Sequence, residues 1–357
     1  MKMTSKRTSI LKRLTLGVFT AGLAAGAALV ALEGGLRLAD VPQSFSATME
    51  LDPELGYRPA SATSVTYETA GLRHTVSFDA IGLTDAAGAP DARPVAILGD
   101  GVVAGWEVDP QERLARQLVD QTQCEAAVNL AVPGYGLLQA LLLLERNLED
   151  GLRPRKVVHV VNLGNDLIDN MRNWEGGRIP SAEVTDDGHL TVSPPPSVAP
   201  WKDALRHLIV DLRLFALLDV VRGGGEAHGP VMPRQQAWLY AEAPPEELRS
   251  GLEAHRALDN RLSDLAERYG FDVETVLWVD WAVVDGKDRV ASVSRAVERM
   301  RDVTHRPLTV LDAGRPAPSE DAEWEAATLV PGTRHANAET LARLAVLVGC
   351  EPPSRGS

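Results

Sequence analysis

The chain has 357 residues, enough for one large domain or two ordinary ones, and its 45% hydrophobic and 24% charged content is typical of a globular protein. Its formal net charge is −13, but all five charges within residues 1–32 are positive, so residues 33–357 carry −18. A body this acidic is repelled by phosphate backbones, which excludes nucleic acid as an expected partner.

The first feature along the chain is a run of 19 uncharged, mostly apolar residues at 14–32, which follows a basic segment at 1–13. A helix rises about 1.5 Å per residue, so this run matches the ~30 Å hydrocarbon core of a bilayer. We therefore predict a transmembrane anchor whose basic segment stays cytoplasmic and whose body lies on the other side. A cleaved signal peptide is the alternative, although its apolar region is usually shorter, at about 7–15 residues.

Strands and helices are predicted for most of the remaining chain. Residues 33–93 are predicted to form a juxtamembrane stretch and a small β module, with strands at Ser64–Tyr67 and Thr75–Phe78. Further strands are predicted at Val95–Leu98, Ala126–Leu130, Lys156–Leu163, Val273–Val279 and Leu308–Leu311. Helices are predicted at Pro110–Gln123, Leu137–Leu148, Trp201–Val221, Pro244–Tyr269 and Ala338–Val348.

This alternation predicts an α/β domain over residues 94–350, built on a mainly parallel sheet that helices cover on both faces. Ligands of such sheets bind at the carboxyl ends of the strands. Residues 171–235 are predicted to be an insertion and residues 351–357 a tail.

The chain has two cysteines, Cys124 and Cys350, too few for a metal site or a disulfide-rich fold. We expect no metal and no cofactor. In an oxidising compartment the two cysteines could pair, and the alternative is two buried thiols. The sequence leaves both possibilities open, because it does not give the geometry that a bridge requires.

Four short motifs fall at turns after predicted strands or before the last predicted helix. They are Leu98-Gly-Asp-Gly-Val-Val-Ala-Gly105, Asn129-Leu-Ala-Val-Pro-Gly-Tyr-Gly136, Leu163-Gly-Asn-Asp166 and His335-Ala-Asn337. In this order they resemble the blocks of the SGNH/GDSL hydrolase superfamily, in particular its membrane-anchored bacterial members. Two earlier motifs, Asp52–Pro59 and Ile81–Leu83, resemble its lead-in segments. The resemblance covers about Asp52 to Val348 and implies a three-layer α/β/α, flavodoxin-like fold.

The resemblance also implies roles for individual residues. Gly101 stands where the family has its nucleophilic serine, and glycine has no side chain that can attack a substrate. Gly134 and Asn165, together with the backbone N–H of Gly101, would hold the oxyanion, and His335 would be the general base. The orienting acid is expected two or three residues before His335, where the chain has no carboxylate, so the acid is predicted to be missing as well.

Other residues offer alternatives. The acid could come from Asp312 or Glu325, and Ser181 or Ser193 could replace the nucleophile only if the insertion folds over the cleft. Taken alone, Asn165 is expected to cap a helix, and His335 alone is an ordinary histidine. The residues Trp174 and Trp201 either line a cleft or anchor the packing of the insertion.

We predict a degenerate SGNH protein, a pseudoenzyme, in the bacterial inner membrane, with one span and a periplasmic or otherwise extracytoplasmic body. It would bind an acyl- or acetyl-bearing envelope glycan, or a partner protein, in a cleft widened by the missing side chain of Gly101. Efficient hydrolysis is not expected, because without the nucleophile a serine hydrolase retains only about 10³–10⁴-fold acceleration over water. One alternative is an active esterase, O-acyl or O-acetyl hydrolase, or transferase, which uses another nucleophile or a water activated by His335. The other is a structural assembly component.

Overall fold

A computed structural model describes residues 3–69, 71–170, 179–185, 187–221, 238–243, 246–279, 289–311, 329–330 and 335–350. Outside these residues lie Trp174, Asp312, Glu325, the predicted tail 351–357 and three parts of the predicted insertion (171–178, 186 and 222–235).

The chain begins with one long helix, α1 (Met3–Leu38). Its segment Thr15–Leu38 is long and apolar enough to cross a membrane and extends beyond the predicted run 14–32 at the C-terminal end. The length and composition of this segment fit both an anchor and a signal sequence.

Two antiparallel hairpins follow α1 and form the small β module. A 3₁₀ turn (Phe45–Thr48) leads into β1 (Met49–Asp52) and β2 (Gly56–Pro59), and β3 (Thr63–Thr69) pairs with β4 (Leu72–Phe78). The second hairpin contains both strands predicted for this module, whereas the first hairpin was not predicted.

A six-stranded sheet forms the centre of the body, in the order β12-β11-β8-β6-β7-β5. All of its neighbouring strands are parallel except the short edge strand β5, which is antiparallel to β7. The sheet strands are β5 (Ala86–Gly88), β6 (Val95–Leu98), β7 (Ala126–Asn129), β8 (Lys156–Asn162), β11 (Asp272–Trp278) and β12 (Leu308–Leu311). The remaining strands, β9 (Ser181–Val184) and β10 (Leu190–Ser193), form a separate hairpin in the insertion.

Helices cover both faces of this sheet. The described helices after α1 are α2 (Gly101–Ala104), α3 (Leu114–Gln121), α4 (Leu137–Glu149), α5 (Asp166–Asp169), α6 (Pro200–Val210), α7 (Arg213–Val221), α8 (Glu246–Tyr269), α9 (Arg289–Val303) and α10 (Ala338–Val348). Of these, α6 and α7 contact each other, α1 and the 3₁₀ turn, and they belong to neither of the two hydrophobic cores. Alternate residues of β6 enter two separate cores. Val95 and Ile97 pack in the core of α3, α9 and α10, whereas Ala96 and Leu98 pack in the core of α4 and α8. The predicted three-layer α/β/α fold with a mainly parallel sheet is confirmed.

Two details differ from the predicted elements. The single helix predicted at 201–221 is two helices, because the carboxylate of Glu33 in α1 accepts hydrogen bonds from the backbone N–H groups of Arg213 (3.1 Å) and Leu214 (3.2 Å) and so caps a new helix start. Helix α9 was not predicted, since most of its apolar residues are valines, which have low helix propensity.

Cys124 and Cys350 form a disulfide, with Cα atoms 5.2 Å apart, so the open question of their pairing is resolved in favour of a bridge. The bridge joins the turn before β7 to the residues after α10 across 226 positions of sequence. Beside it, Nζ of the buried Lys156 donates to the carbonyl of Val348 over 2.8 Å, and these contacts hold the last helix against the sheet.

Candidate functional site

Three of the predicted motif turns lie side by side, because β7, β6 and β8 are neighbours in the parallel sheet. Gly101 follows β6, Gly134 follows β7 and Asn165 follows β8. Nδ2 of Asn162, at the end of β8, donates to Oδ2 of Asp100 over 3.1 Å and joins two of the turns. The structure therefore brings together the three strand-end residues that the sequence placed in one site.

Asp100 supports the first turn. Its Oδ1 accepts a hydrogen bond from the backbone N–H of Val102 over 2.9 Å and so caps α2. Burial raises the pKa of the Asp100 carboxyl, while its hydrogen bonds and the nearby His335 act in the opposite direction. A carboxyl held in this way stabilises the turn and is not free to act as a nucleophile.

Backbone pairing brings His335 from the far end of the chain to this turn. The N–H of Ala336 donates to the carbonyl of Val102 over 2.9 Å. Asn337 then caps α10, where its Oδ1 accepts from the N–H of Thr340 over 3.0 Å. His335 itself is buried, so it is not the surface histidine that a lone motif residue would suggest.

The structure supplies the acid that the sequence predicted to be missing. Oε2 of Glu107 lies 2.8 Å from Nδ1 of His335, and both side chains are buried. Oε1 of the same carboxylate accepts a hydrogen bond from the hydroxyl of Tyr67 over 3.1 Å. The prediction that His335 lacks a neighbouring carboxylate was therefore wrong, because Glu107 reaches it from the loop after α2 and not from the segment before the histidine.

Sequence reasoning missed Glu107, although one signal was present. The glutamate stands between Trp106 and Val108, two apolar residues that are both buried. A charged residue between two core residues is buried only if it has a partner. No spacing rule identified His335 as that partner, because the two residues lie near opposite ends of the domain's sequence.

The charges of this pair stabilise each other. Burial alone would raise the pKa of Glu107, but the charge of His335 and hydrogen bonds from His335 and Tyr67 lower it to about 2. Burial alone would lower the pKa of His335, but Glu107, and to a smaller extent Asp100, raise it above its ordinary value. The site therefore holds a buried imidazolium over a wider pH range than a free histidine would give.

The imidazole of His335 fills the space beside Gly101, where the resemblance would place the side chain of a nucleophile. The φ angle of Gly101 lies outside the left-handed region, so the backbone does not require glycine there. A Cβ at this position would overlap Nε2 of His335 and lie 2.9 Å from its Cδ2. The expectation that the missing side chain widens the cleft is wrong for this structure, since the ring occupies the freed space.

Gly134 is required by its backbone and by its neighbour. It has a φ of +78°, and a Cβ there would lie 2.7 Å from the hydroxyl of Tyr57. That hydroxyl donates to the carbonyl of Pro133 over 3.0 Å. Burial, together with the charges of Asp169 and Asp100, raises the pKa of Tyr57, so its hydroxyl stays protonated.

The first lead-in motif delivers Tyr57 to the site. Arg146 of α4 donates two hydrogen bonds to the carboxylate of Asp52, over 2.7 and 3.0 Å. Nε2 of Gln139, also on α4, donates to the carbonyl of Leu55 over 2.7 Å. The sequence singled out this motif but did not assign Tyr57 to the site.

Asn165 reaches the same edge, but its amide is engaged by carboxylates. It occupies the N-cap position of α5 without a side-chain capping bond, so the expected capping role is not observed. Its Nδ2 donates to Oδ2 of Asp169 over 2.7 Å, and its side chain also hydrogen-bonds Asp100. In this arrangement the amide is not free to hold an oxyanion.

The alternative residues of the insertion lie elsewhere. Ser181 and Ser193 face each other across the β9–β10 hairpin, which packs on α8. Trp201 projects from α6 with 65% of its surface exposed, so it does not anchor the packing of the insertion.

Comparison with known proteins adds little to this geometry. No protein-family model and no curated protein matches the chain. One solved structure that matches is a carbohydrate esterase whose active site is described as displaying divergent catalytic and non-catalytic binding functions. It is 11% identical with a TM-score of 0.32, and the match covers 84% of this chain and 90% of that chain. Another is an α/β hydrolase fold protein of unknown function, 15% identical with a TM-score of 0.25 over 71% of this chain and 86% of that chain.

Proposed function

We propose that this protein is a degenerate SGNH-type hydrolase in which α1 anchors an extracytoplasmic body in the bacterial inner membrane. Its site binds an acyl- or acetyl-bearing ligand, such as an envelope glycan, without hydrolysing it efficiently. The four motifs and the α/β/α fold support the family, and the site geometry supports binding over turnover.

One observation carries the proposal: a buried His335–Glu107 pair faces a glycine at the place of the nucleophile. The base and its orienting acid are both present. The group that they would activate is absent, and the ring of the base occupies its place. Residue 101 therefore supplies no hydroxyl nucleophile, because glycine has no side chain. The ring of His335 also leaves no room for one in this arrangement.

The charge of the site is compatible with holding an oxygen. Glu107 raises the pKa of His335, which widens the pH range in which the imidazole is charged, and only the neutral imidazole can accept a proton from water. An imidazolium is instead a charged hydrogen-bond donor suited to a carbonyl or carboxylate oxygen.

The disulfide supports an extracytoplasmic body. Structural disulfides persist in oxidising compartments such as the periplasm and are rare in the cytosol. Here the bridge joins Cys124 to Cys350. This agrees with the orientation expected from the basic segment that precedes the apolar run.

The test is the thermal stability of the full-length protein with matched pairs of O-acetylated and deacetylated oligosaccharides, and acetate release in the same samples. We expect the acetylated member to raise the melting temperature of wild type more than its deacetylated twin, with no acetate released. His335→Ala is expected to lose that difference, since it removes the donor. Acetate release that His335→Ala abolishes would refute the proposal and establish a hydrolase. If none of the oligosaccharides raises the melting temperature, the proposal is also refuted, and a structural role is favoured.

A second experiment tests the role of residue 101 and uses Gly101→Ser, with Gly101→Ala as its matched control. Both variants add the Cβ that displaces the imidazole, but only serine adds a hydroxyl. If the site is a hydrolase frame that lacks its nucleophile, Gly101→Ser alone hydrolyses aryl acetates, and adding His335→Ala abolishes that activity. Equal rates for the serine and alanine variants would show that the frame has diverged further.

A further inference from the structure

Helix α6 presents a stripe of large apolar side chains to solvent. Its exposed large apolar residues are Trp201, Leu205, Leu208 and Ile209, whose spacing forms one helical stripe. On the opposite side, Val210 is buried, and Nη1 of Arg206 donates to the carbonyl of Met49 in the β module over 3.3 Å. A surface helix of a water-soluble body turns such a stripe inward, whereas here no part of the described chain covers it.

Helix α7 continues the same feature. It packs against α6, and its Leu217 and Leu218 are also exposed. We call the six residues Trp201, Leu205, Leu208, Ile209, Leu217 and Leu218 the apolar face. Single exposed apolar residues are ordinary, but a grouped set on two adjoining helices marks an interaction surface.

Direct contacts join this helix pair to the end of the apolar helix α1. The carboxylate of Glu33 accepts from the backbone N–H groups of Arg213 and Leu214, at the start of α7. Nη2 of Arg37 donates to the carbonyl of Asp211, between α6 and α7, over 3.1 Å. Glu33 is the first charged residue after the run 14–32. The α6–α7 junction is therefore held at the level where α1 would leave a bilayer.

We propose that the apolar face lies in the interfacial layer of the same bilayer that α1 spans; this rests on α1 being a membrane anchor. The cover is lipid, because the helix pair that carries the face is held by α1, the segment that enters the membrane. The end of α6 fits this placement: Nζ of Lys202 lies 5.6 Å from the centroid of the Trp201 ring. A tryptophan at headgroup depth beside a lysine that reaches water is typical of membrane interfaces.

This placement connects the membrane to the candidate site. The 3₁₀ turn Phe45–Thr48 contacts α6, and the ring of Phe45 packs on Tyr67 and Trp106. Tyr67 is the residue that donates to Glu107. The β module thus contacts both α6 and the residues of the site. With the apolar face in the bilayer, the site lies near the membrane surface, where a membrane-borne acylated ligand would be presented.

The experiment uses the full chain in nanodiscs that each hold one copy, with an environment-sensitive fluorophore on an introduced cysteine. The native cysteines are paired, which leaves the new thiol for labelling. Leu208→Cys probes the apolar face, and Val346→Cys on α10 is the matched control, because both positions are 63% exposed. The quencher is a phosphatidylcholine with a nitroxide near the top of its acyl chain.

We expect a blue-shifted emission and a loss of intensity with the nitroxide lipid at position 208, and neither effect at position 346. Equal behaviour at the two positions would overturn the proposal. A blue shift at 208 without quenching by the lipid would overturn it too, since protein and not lipid would then cover the face. Extraction of the chain from native membranes by alkaline carbonate would overturn the anchor and this proposal with it. A chain that is retained but not quenched overturns this proposal alone.

Discussion

Removing the carboxylate of Glu107 should cost more stability than most single changes in this protein. Glu107→Gln keeps the shape of the side chain and a hydrogen-bond acceptor for Tyr67, but it leaves the buried His335 without its counter-charge. A pKa lowered from 4.5 to about 2 corresponds to a stabilisation on the order of 3 kcal/mol. Removing one partner of a buried ion pair generally costs about 3–5 kcal/mol of stability, a range that agrees with this figure.

The effect should depend on pH in a defined direction. Because the pKa of Glu107 is lowered, its contribution is present above 4.5 and is lost as the pH falls towards about 2. Because the pKa of His335 is raised, its contribution is complete below 6.5 and is lost as the pH rises through the raised value. The cost of Glu107→Gln should therefore be largest between these limits, near roughly pH 5.5, and smaller in alkaline solution.

The assay is guanidinium unfolding of the full chain in detergent, at roughly pH 5.5 and again in alkaline solution. It compares wild type with Glu107→Gln, His335→Ala and the double variant. The double-mutant cycle isolates the pair from its surroundings. Tyr67→Phe is the matched control, because it removes a hydrogen bond to the same carboxylate, worth about 1.5–3 kcal/mol, without removing the charge. A coupling energy below about 0.5 kcal/mol at acidic pH would refute the ion pair as described here. The same conclusion would follow if the coupling did not fall in alkaline solution.

Three other changes should have distinct signatures. Gly134→Ala is expected to cost roughly 1–3 kcal/mol in backbone strain and contact with the hydroxyl of Tyr57. Adding Tyr57→Phe should recover part of the lost free energy of unfolding, because it removes the hydroxyl and leaves the nearest ring atom 3.9 Å from the added Cβ. Guanidinium unfolding measures both variants. If the double variant is no more stable than Gly134→Ala, the contact with Tyr57 is contradicted. Replacing Cys124 and Cys350 by serine should cost about 2–5 kcal/mol, measured against wild type with and without reductant. A melting temperature that reductant leaves unchanged would argue against the bridge. Gly101→Ala should lower stability by about 1–3 kcal/mol, because its Cβ displaces a buried imidazole; a neutral result would mean that the ring moves freely.

Local pattern was sufficient to predict most of the fold. The strands Val95–Leu98 and Leu308–Leu311 and the helix Ala338–Val348 have the predicted bounds, because apolar periodicity and flanking turn residues are properties of the local chain. The split between α6 and α7 was not predictable in this way. It depends on a cap from Glu33, a residue on another helix far away in sequence.

The candidate site was likewise predictable from local sequence only in part. Gly101, Gly134 and Asn165 could be grouped from the sequence, because consecutive strands of a parallel sheet end at one edge and each turn carries its own motif. The sequence also located His335 ahead of a helix whose cap is local.

Only the tertiary structure decided what those residues do to one another. It paired His335 with Glu107, filled the place of the missing side chain at Gly101 with the imidazole, and set Tyr57 over Gly134. A sequence motif records which residue types follow each other along the chain. A charge pair or a filled volume depends on distances between segments that fold together from opposite ends of the domain, and no local pattern encodes those distances.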